Sequence, residues 1–307
     1  MISRSARLGV AVALLAVLGA LVGHRLWLAL TDPASAECSD PPIALGQQRA
    51  APTHRELDVV FTCEDVRLAG TIYLPAGWGP SPGVVWVHGA GEAARLGWGG
   101  QVVPGLVAAG FAVLSYDKRG VGQSEGACCP GDQGHFNLLT ADVEGAIGVL
   151  RAQAGVNPDL VGLVGASQAG WIAPRAANKT HAAFVALASA PTVSERTANL
   201  YERLASGEKG NLSREEISRR LSEAGPSGYD PVPDLRRMTI PSLWLFGSAD
   251  DKTPVPESVA VLDQLRSDGH DITVRVFPDA GHGLLDVPPT APDAPATVIT
   301  WIQQQVS

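Results

Sequence analysis

The feature that most constrains this chain is a short corner near its middle, Gly165-Ala166-Ser167-Gln168-Ala169-Gly170-Trp171-Ile172-Ala173-Pro174. It follows Leu160-Val161-Gly162-Leu163-Val164, an apolar run of strand type, and continues as a small-residue helix. A strand that turns sharply into a helix brings its entering and leaving backbones almost into contact, so the flanking positions must be glycine or alanine. The residue at the apex, here Ser167, is lifted clear of the backbone. This is the layout of a nucleophile elbow, usually Gly-x-Ser-x-Gly. The fifth position is Ala169, with Gly170 one step later, so the expected elbow is intact but more crowded. A phosphate loop is excluded because Trp171 stands where its lysine would be. The other Gly-rich turn, Gly120-Val121-Gly122-Gln123-Ser124-Glu125, has glutamate where a dinucleotide fingerprint needs its last glycine.

Around this corner the chain alternates apolar runs with helix-prone segments. Residues 55–62 and 66–74 read as a hairpin turning at Cys63-Glu64-Asp65. Further strands are expected over 83–88, 112–116, 160–164, 184–188, 242–246 and 273–277, with helices over 98–109, 142–153, 256–267 and 294–304. About eight strands in this order predict an α/β fold, a mostly parallel sheet with helices on both faces. Ligands of such sheets sit at the carboxyl ends of the strands. One segment, 191–238, lacks a strand signal. Residues 194–206 and 213–224 are charged and helix-prone, and the breaker Gly225-Pro226-Ser227-Gly228 follows. A functionless loop of that length is uncommon, so a small helical lid is expected there.

The N-terminus has a different character. Arg4 and Arg7 precede an uncharged run over 8–23, followed by His24, Arg25 and a second apolar stretch to Leu30. Residues 1–31 read as a signal peptide or a signal anchor. The first run covers roughly 24 Å as a helix, short of a hydrocarbon core of ~30 Å. Extending it to Leu30 reaches far enough, with Arg25 able to snorkel. Ala34-Ser35-Ala36 supplies a small-x-small cleavage site instead. In both cases the rest of the chain is exported, anchored or secreted. Residues 32–54, with four prolines, read as a linker to a domain over 55–307.

An exported compartment permits disulfides. The four cysteines are Cys38, Cys63, Cys128 and Cys129. A bridge between adjacent Cys128 and Cys129 is strained, so cross-pairs from Cys38 and Cys63 to that turn, or a single Cys38–Cys63 bridge, are preferred. The spacing lacks the two halves of a zinc ribbon, and no metal is expected. With 45% hydrophobic and 18% charged residues the chain is globular, and its net charge of −8 argues against nucleic acid as a partner.

Two strand ends supply what Ser167 needs. Gly247-Ser248-Ala249-Asp250-Asp251-Lys252-Thr253-Pro254 follows the strand 242–246, and Gly281-His282-Gly283 follows the strand 273–277. A serine hydroxyl is a weak nucleophile until a base takes its proton. His282 is the candidate base, and Asp250, preferred over Asp251 because it lies nearer the glycine turn, is the candidate acid that orients the imidazole. Two N–H donors must face a tetrahedral oxyanion. The backbone N–H of Gln168 is one candidate, and Ala90 in the His88-Gly89-Ala90-Gly91 loop is the other. His88 is expected to hydrogen-bond locally, and the turn over 117–124 to be held by its own Asp117–Arg119 pair.

These motifs resemble the α/β-hydrolase superfamily from about Arg55 to the C-terminus, in the order serine, acid, histidine. Residues 165–174 are similar to an esterase and acyl-hydrolase branch often grouped with dienelactone hydrolases, acyl-thioester hydrolases and prolyl-oligopeptidase-type peptidases. The resemblance implies ester, thioester or amide hydrolysis of a small-molecule substrate through an acyl-serine, with no metal and no organic cofactor. Ala169 departs from the family's glycine. A peptidase, an amidase or an acyltransferase would use the same triad. A non-catalytic binding protein on the same fold would usually have lost a triad member, and none is lost here.

Overall fold

Glu64 and Asp65 both take left-handed φ values, 48° and 59°, as a type I′ turn requires. They join β2 (His54–Cys63) to β3 (Val66–Pro75) in an unbroken antiparallel register from His54–Pro75 to Cys63–Val66. This computed structural model describes residues 36–307 apart from Trp78, 96–101, 130–132, Lys209 and Val287. The expected N-terminal segment, 1–31, lies outside the described residues. Among the described residues no helix is long and apolar enough to cross a membrane.

The hairpin leads into one nine-stranded sheet with the order β1-β2-β3-β5-β4-β6-β7-β8-β9. The remaining strands are β4 (Ser81–Val87), β5 (Ala112–Tyr116), β6 (Val156–Ala166), β7 (Val185–Ala188), β8 (Ser242–Gly247) and β9 (Ile272–Phe277). From β5 to β9 all neighbours are parallel. β1 (Ile43–Ala50) corrects the expected linker: residues 43–50 pair antiparallel with β2. Its side chains are almost all exposed. An edge strand is held by backbone hydrogen bonds to one neighbour and leaves little apolar alternation to read. Arg49 adds a two-toothed contact to Asp58 on β2, with Nη2 to Oδ1 at 2.8 Å.

Alternate residues of the central strands enter opposite cores. Val85 and Val87 of β4, with Trp244 and Phe246 of β8, face one side; Val84, Trp86, Leu243 and Leu245 face the other. The first side is covered by α2 (Gln133–Arg151), α3 (Ala173–Thr180), α6 (Val232–Arg237) and α7 (Val255–Ser267), the second by α1 (Val102–Ala108) and α8 (Ala294–Gln305). Two-sided coverage is why these strands read as continuous apolar runs. α2 begins nine residues before the expected start at Asp142, because Phe136 and Leu139 join Val143, Ala146, Ile147 and Leu150 in the same core.

Between β7 and β8 the chain forms α4 (Glu195–Ala205), α5 (Arg214–Ala224) and α6. Ser213 caps α5, its Oγ accepting the N–H of Glu216 at 3.2 Å. Tyr201 and Leu204 of α4 pack with Ile217 and Leu221 of α5 in a separate small core. Cys38 is bonded to Cys63, with Cα atoms 5.4 Å apart, beside Gly145 of α2, where any side chain would strike both sulfurs. Cys38 and Cys63 pair with each other, so the cross-pairing to Cys128 and Cys129 considered from sequence is not adopted.

Candidate active site

β6 delivers Ser167 at the first position of a 3-10 turn (Ser167–Trp171), with φ at 55°. A left-handed φ at a non-glycine residue is costly and persists only where packing over-determines it. The packing is visible on both sides. A Cβ on Gly165 would lie 2.6 Å from the carbonyl oxygen of Val87 and 2.7 Å from the Cβ of Ala169. A Cβ on Gly170 would collide with the carbonyl of Pro191. Ala169 is fully buried, and its methyl faces the vacant side of Gly165. The crowding expected from alanine at this position is therefore absorbed by the glycine four residues earlier.

The loops after β8 and β9 meet because Gly247 has no side chain; a Cβ there would run into the carbonyl of Ala280. Ser248 and Ala249 then donate their N–H groups to Phe277 and Ala280, both at 2.9 Å. This seam sets Asp250 beside His282. The Nδ1 of His282 lies 2.9 Å from Oδ2 and 3.0 Å from Oδ1 of Asp250. Asp250 Oδ1 also accepts the N–H groups of Lys252 and Thr253, each at 2.8 Å. The carboxylate is 1% exposed and fully partnered. With Nδ1–H directed at the carboxylate, Nε2 of His282 is left as the basic nitrogen. Ser189 Oγ donates to the His282 carbonyl at 2.6 Å, and Thr253 Oγ1 donates to the Ser189 carbonyl at 2.9 Å. These two hydroxyls buttress the histidine loop and were not anticipated from sequence.

Ser167, Gln168, His282 and Ala90 line one cavity of about 190 Å³ with Trp171, Pro191, Lys252 and Thr253. Ala198, Asn199 and Glu202 of α4 complete its wall. All five residues singled out from sequence are thus gathered at one edge of the sheet. Asp251 is solvent-exposed beside Asp250. His88 is buried and directs Nε2 at the Tyr116 carbonyl. Burial pushes its imidazole down to about 4. Among the described residues no cluster of three or more His, Cys, Asp or Glu is arranged to hold a metal ion.

The turn over 117–124 is not held by its own ion pair. Asp117 receives Arg95 at Oδ2 from Nη2 (2.9 Å) and at Oδ1 from the backbone N–H (2.8 Å), and it accepts the Gln123 N–H at 2.9 Å. Burial alone would raise this carboxyl, but the Arg95 guanidinium and these N–H groups bring it below the usual carboxylate range. Arg119 instead pairs with Asp142 of α2, Nε to Oδ2 at 2.7 Å. Between them Lys118, 2% exposed, reaches back under the loop after β4. No sequence spacing signals these partners, because each lies on another element.

Comparison with known proteins agrees with this architecture. The model of the prolyl oligopeptidase family matches residues 103–307, two thirds of the chain. The thiohydrolase aneE of Aspergillus aculeatus is 32% identical over 127 residues, 41% of this chain. The chain spans 37% of the length of that curated relative. The Pyrococcus furiosus esterase Pf2001 shares the fold with a TM-score of 0.64 at 19% identity, over 88% of this chain and 98% of that one. Acetyl xylan esterase 1 from Thermoanaerobacterium gives 0.60 at 21% identity, over 86% and 88%. The sheet has the α/β-hydrolase arrangement with Ser167 at its carboxyl edge, and the family match across two thirds of its length shows that the chain belongs to the prolyl oligopeptidase family.

Proposed function

We propose that this chain hydrolyses short-chain acyl esters or thioesters through an acyl-serine, with Ser167 as nucleophile, His282 as base and Asp250 as the orienting acid. The observation that carries the reading is the Asp250–His282 hydrogen bond at 2.9 Å beside Ser167 in one cavity. In the first half-reaction Ser167 Oγ bonds to the acyl carbon while its proton passes to Nε2 of His282. The carbonyl oxygen becomes an oxyanion facing the N–H groups of Gln168 and Ala90. Collapse breaks the bond to the leaving oxygen or sulfur, which takes the proton from Nε2. Water then repeats the sequence, attacking the acyl-serine as His282 removes its proton, and Ser167 is regenerated with release of the acid.

The small cavity favours a short acyl group, since pockets for drug-sized ligands span ~300–1,000 Å³. The partial likeness to a thiohydrolase supports including thioesters. α4, which lines the cavity through Ala198, Asn199 and Glu202, is assigned the role of a lid. The N-terminal segment is assigned to export, and the Cys38–Cys63 bridge suits an oxidising compartment.

The test compares the wild type with Ser167→Ala. Both are treated with a fluorophosphonate probe and assayed on p-nitrophenyl esters and acyl thioesters of increasing chain length. Labelling confined to the wild type, turnover lower by roughly 10³-fold or more in the variant, and a preference for two to four carbons are expected. Labelling retained in Ser167→Ala, or absent from the folded wild type, overturns the assignment.

A further inference from the structure

We propose that Lys118 is the positioning residue of the oxyanion hole, its single ammonium group tying together the two loops that carry the candidate donors. The inference rests on the reading of Ser167, Gln168 and Ala90 given above. Lys118 Nζ donates to the carbonyls of Gly89 (2.9 Å) and Gly91 (3.3 Å) and to Oε1 of Gln168 (2.7 Å). The first two flank Ala90, whose N–H belongs to the loop after β4. The third is the side chain of the residue whose backbone N–H is the other donor, after β6. An ammonium has three N–H groups, and all three are spent on these two loops. Ala90 itself is exposed and Gly91 takes φ at +80°. The loop is also met by Cys128 Sγ at the Gly91 carbonyl (3.6 Å), but among the described residues the Lys118 ammonium alone bonds the carbonyls on both sides of Ala90 and the side chain of Gln168.

The charge adds to the geometry. Asp117 is paired with Arg95, and Asp142 with Arg119. His88, from the β4 end, is neutral above about pH 4. Glu92 on the loop is exposed, and among the described residues no carboxylate is hydrogen-bonded to Nζ. Among the described residues the Lys118 cation thus has no hydrogen-bonded carboxylate of its own, and it lies behind the place where negative charge develops. A preorganised positive charge in a water-poor site stabilises an oxyanion more than it would in water. Burial lowers the Lys118 ammonium to about 8, with the Asp142 carboxylate opposing that shift. Loss of its proton would weaken the three bonds and remove the field together, while a purely structural lysine would leave the rate unaffected.

The experiment measures kcat and KM on p-nitrophenyl acetate from pH 6 to 10 for the wild type, Lys118→Met and Ser167→Ala, with circular dichroism at each pH. In Lys118→Met, kcat is expected to fall on the order of 10²-fold, about one oxyanion donor, with KM changed less than about threefold. In the wild type, kcat is expected to decline above about pH 8 with the fold intact, and this limb should be missing from Lys118→Met. Lys118→Met within about threefold of wild-type kcat overturns the proposal. If that variant does not fold, the wild-type profile decides alone: a kcat flat to pH 10 overturns it, an alkaline limb supports it. Failure of the underlying reading is separate, because Ser167→Ala would then retain turnover.

Discussion

Tyr201 donates its hydroxyl hydrogen to the backbone carbonyl of Asp250 at 2.8 Å. This bond links α4, which walls the cavity, to the residue that orients His282. Tyr201 is buried, which raises its phenol above the ordinary value and keeps it a donor at working pH.

Tyr201→Phe keeps the ring in its small core and removes only that bond. A hydrogen bond of this kind contributes about 1 kcal/mol, which corresponds to about fivefold in a binding constant. The expected outcome is a KM on p-nitrophenyl acetate raised about fivefold with kcat within about threefold. A variant with wild-type KM would show that α4 does not cover the substrate.

Asp250 and Asp251 are adjacent but differ in surroundings. Asp250 is buried with three donors on its carboxylate, and Asp251 is exposed. Asp250→Asn keeps the shape but favours the wrong imidazole tautomer, and should lower kcat by roughly 10³–10⁴-fold. Asp251→Asn should change kcat by less than about twofold, as expected for an exposed charge away from the bonded chain. Equal losses in the two variants, read by steady-state kinetics, would remove Asp250 from the acid role.

His88 makes the fold sensitive to acid. Its folded-state value is about 4 against an ordinary 6.5, so between these values the unfolded chain binds a proton that the folded chain does not. Stability from this group is fully present above pH 6.5 and declines as pH falls toward 4, by up to about 3 kcal/mol. His88→Gln retains a donor for the Tyr116 carbonyl and removes the titration. Urea midpoints should therefore fall less between pH 7 and 4 in His88→Gln than in the wild type. Parallel declines would mean that His88 is protonated in the folded chain.

Much of the site could be read without coordinates, and the reason is local. Ser167, Asp250 and His282 each follow a strand end, and a strand end is marked by its own apolar run and glycine. Ala169 marked the limit of that reading. Whether alanine fits depends on Gly165 opposite it and on Pro191 behind Gly170, contacts that no pattern within the elbow encodes. The expected Asp117–Arg119 pair failed for the same reason. Two charges close in sequence at a turn point in different directions, and each found its partner on another element, Arg95 and Asp142.

The sequence by itself determined the alternation of strands and helices, the order of the three candidate catalytic residues and the edge of the sheet at which they lie. All three follow from short-range rules: side-chain period, breakers and the chemistry of single residues. Only the tertiary structure decided the edge strand β1, the pairing of Cys38 with Cys63, the small core of α4 and α5, and the three bonds that place Lys118 beneath two separate loops. Each of these joins groups far apart along the chain. Such contacts are selected by the close packing of the whole sheet and its helices, which has no counterpart in any single segment.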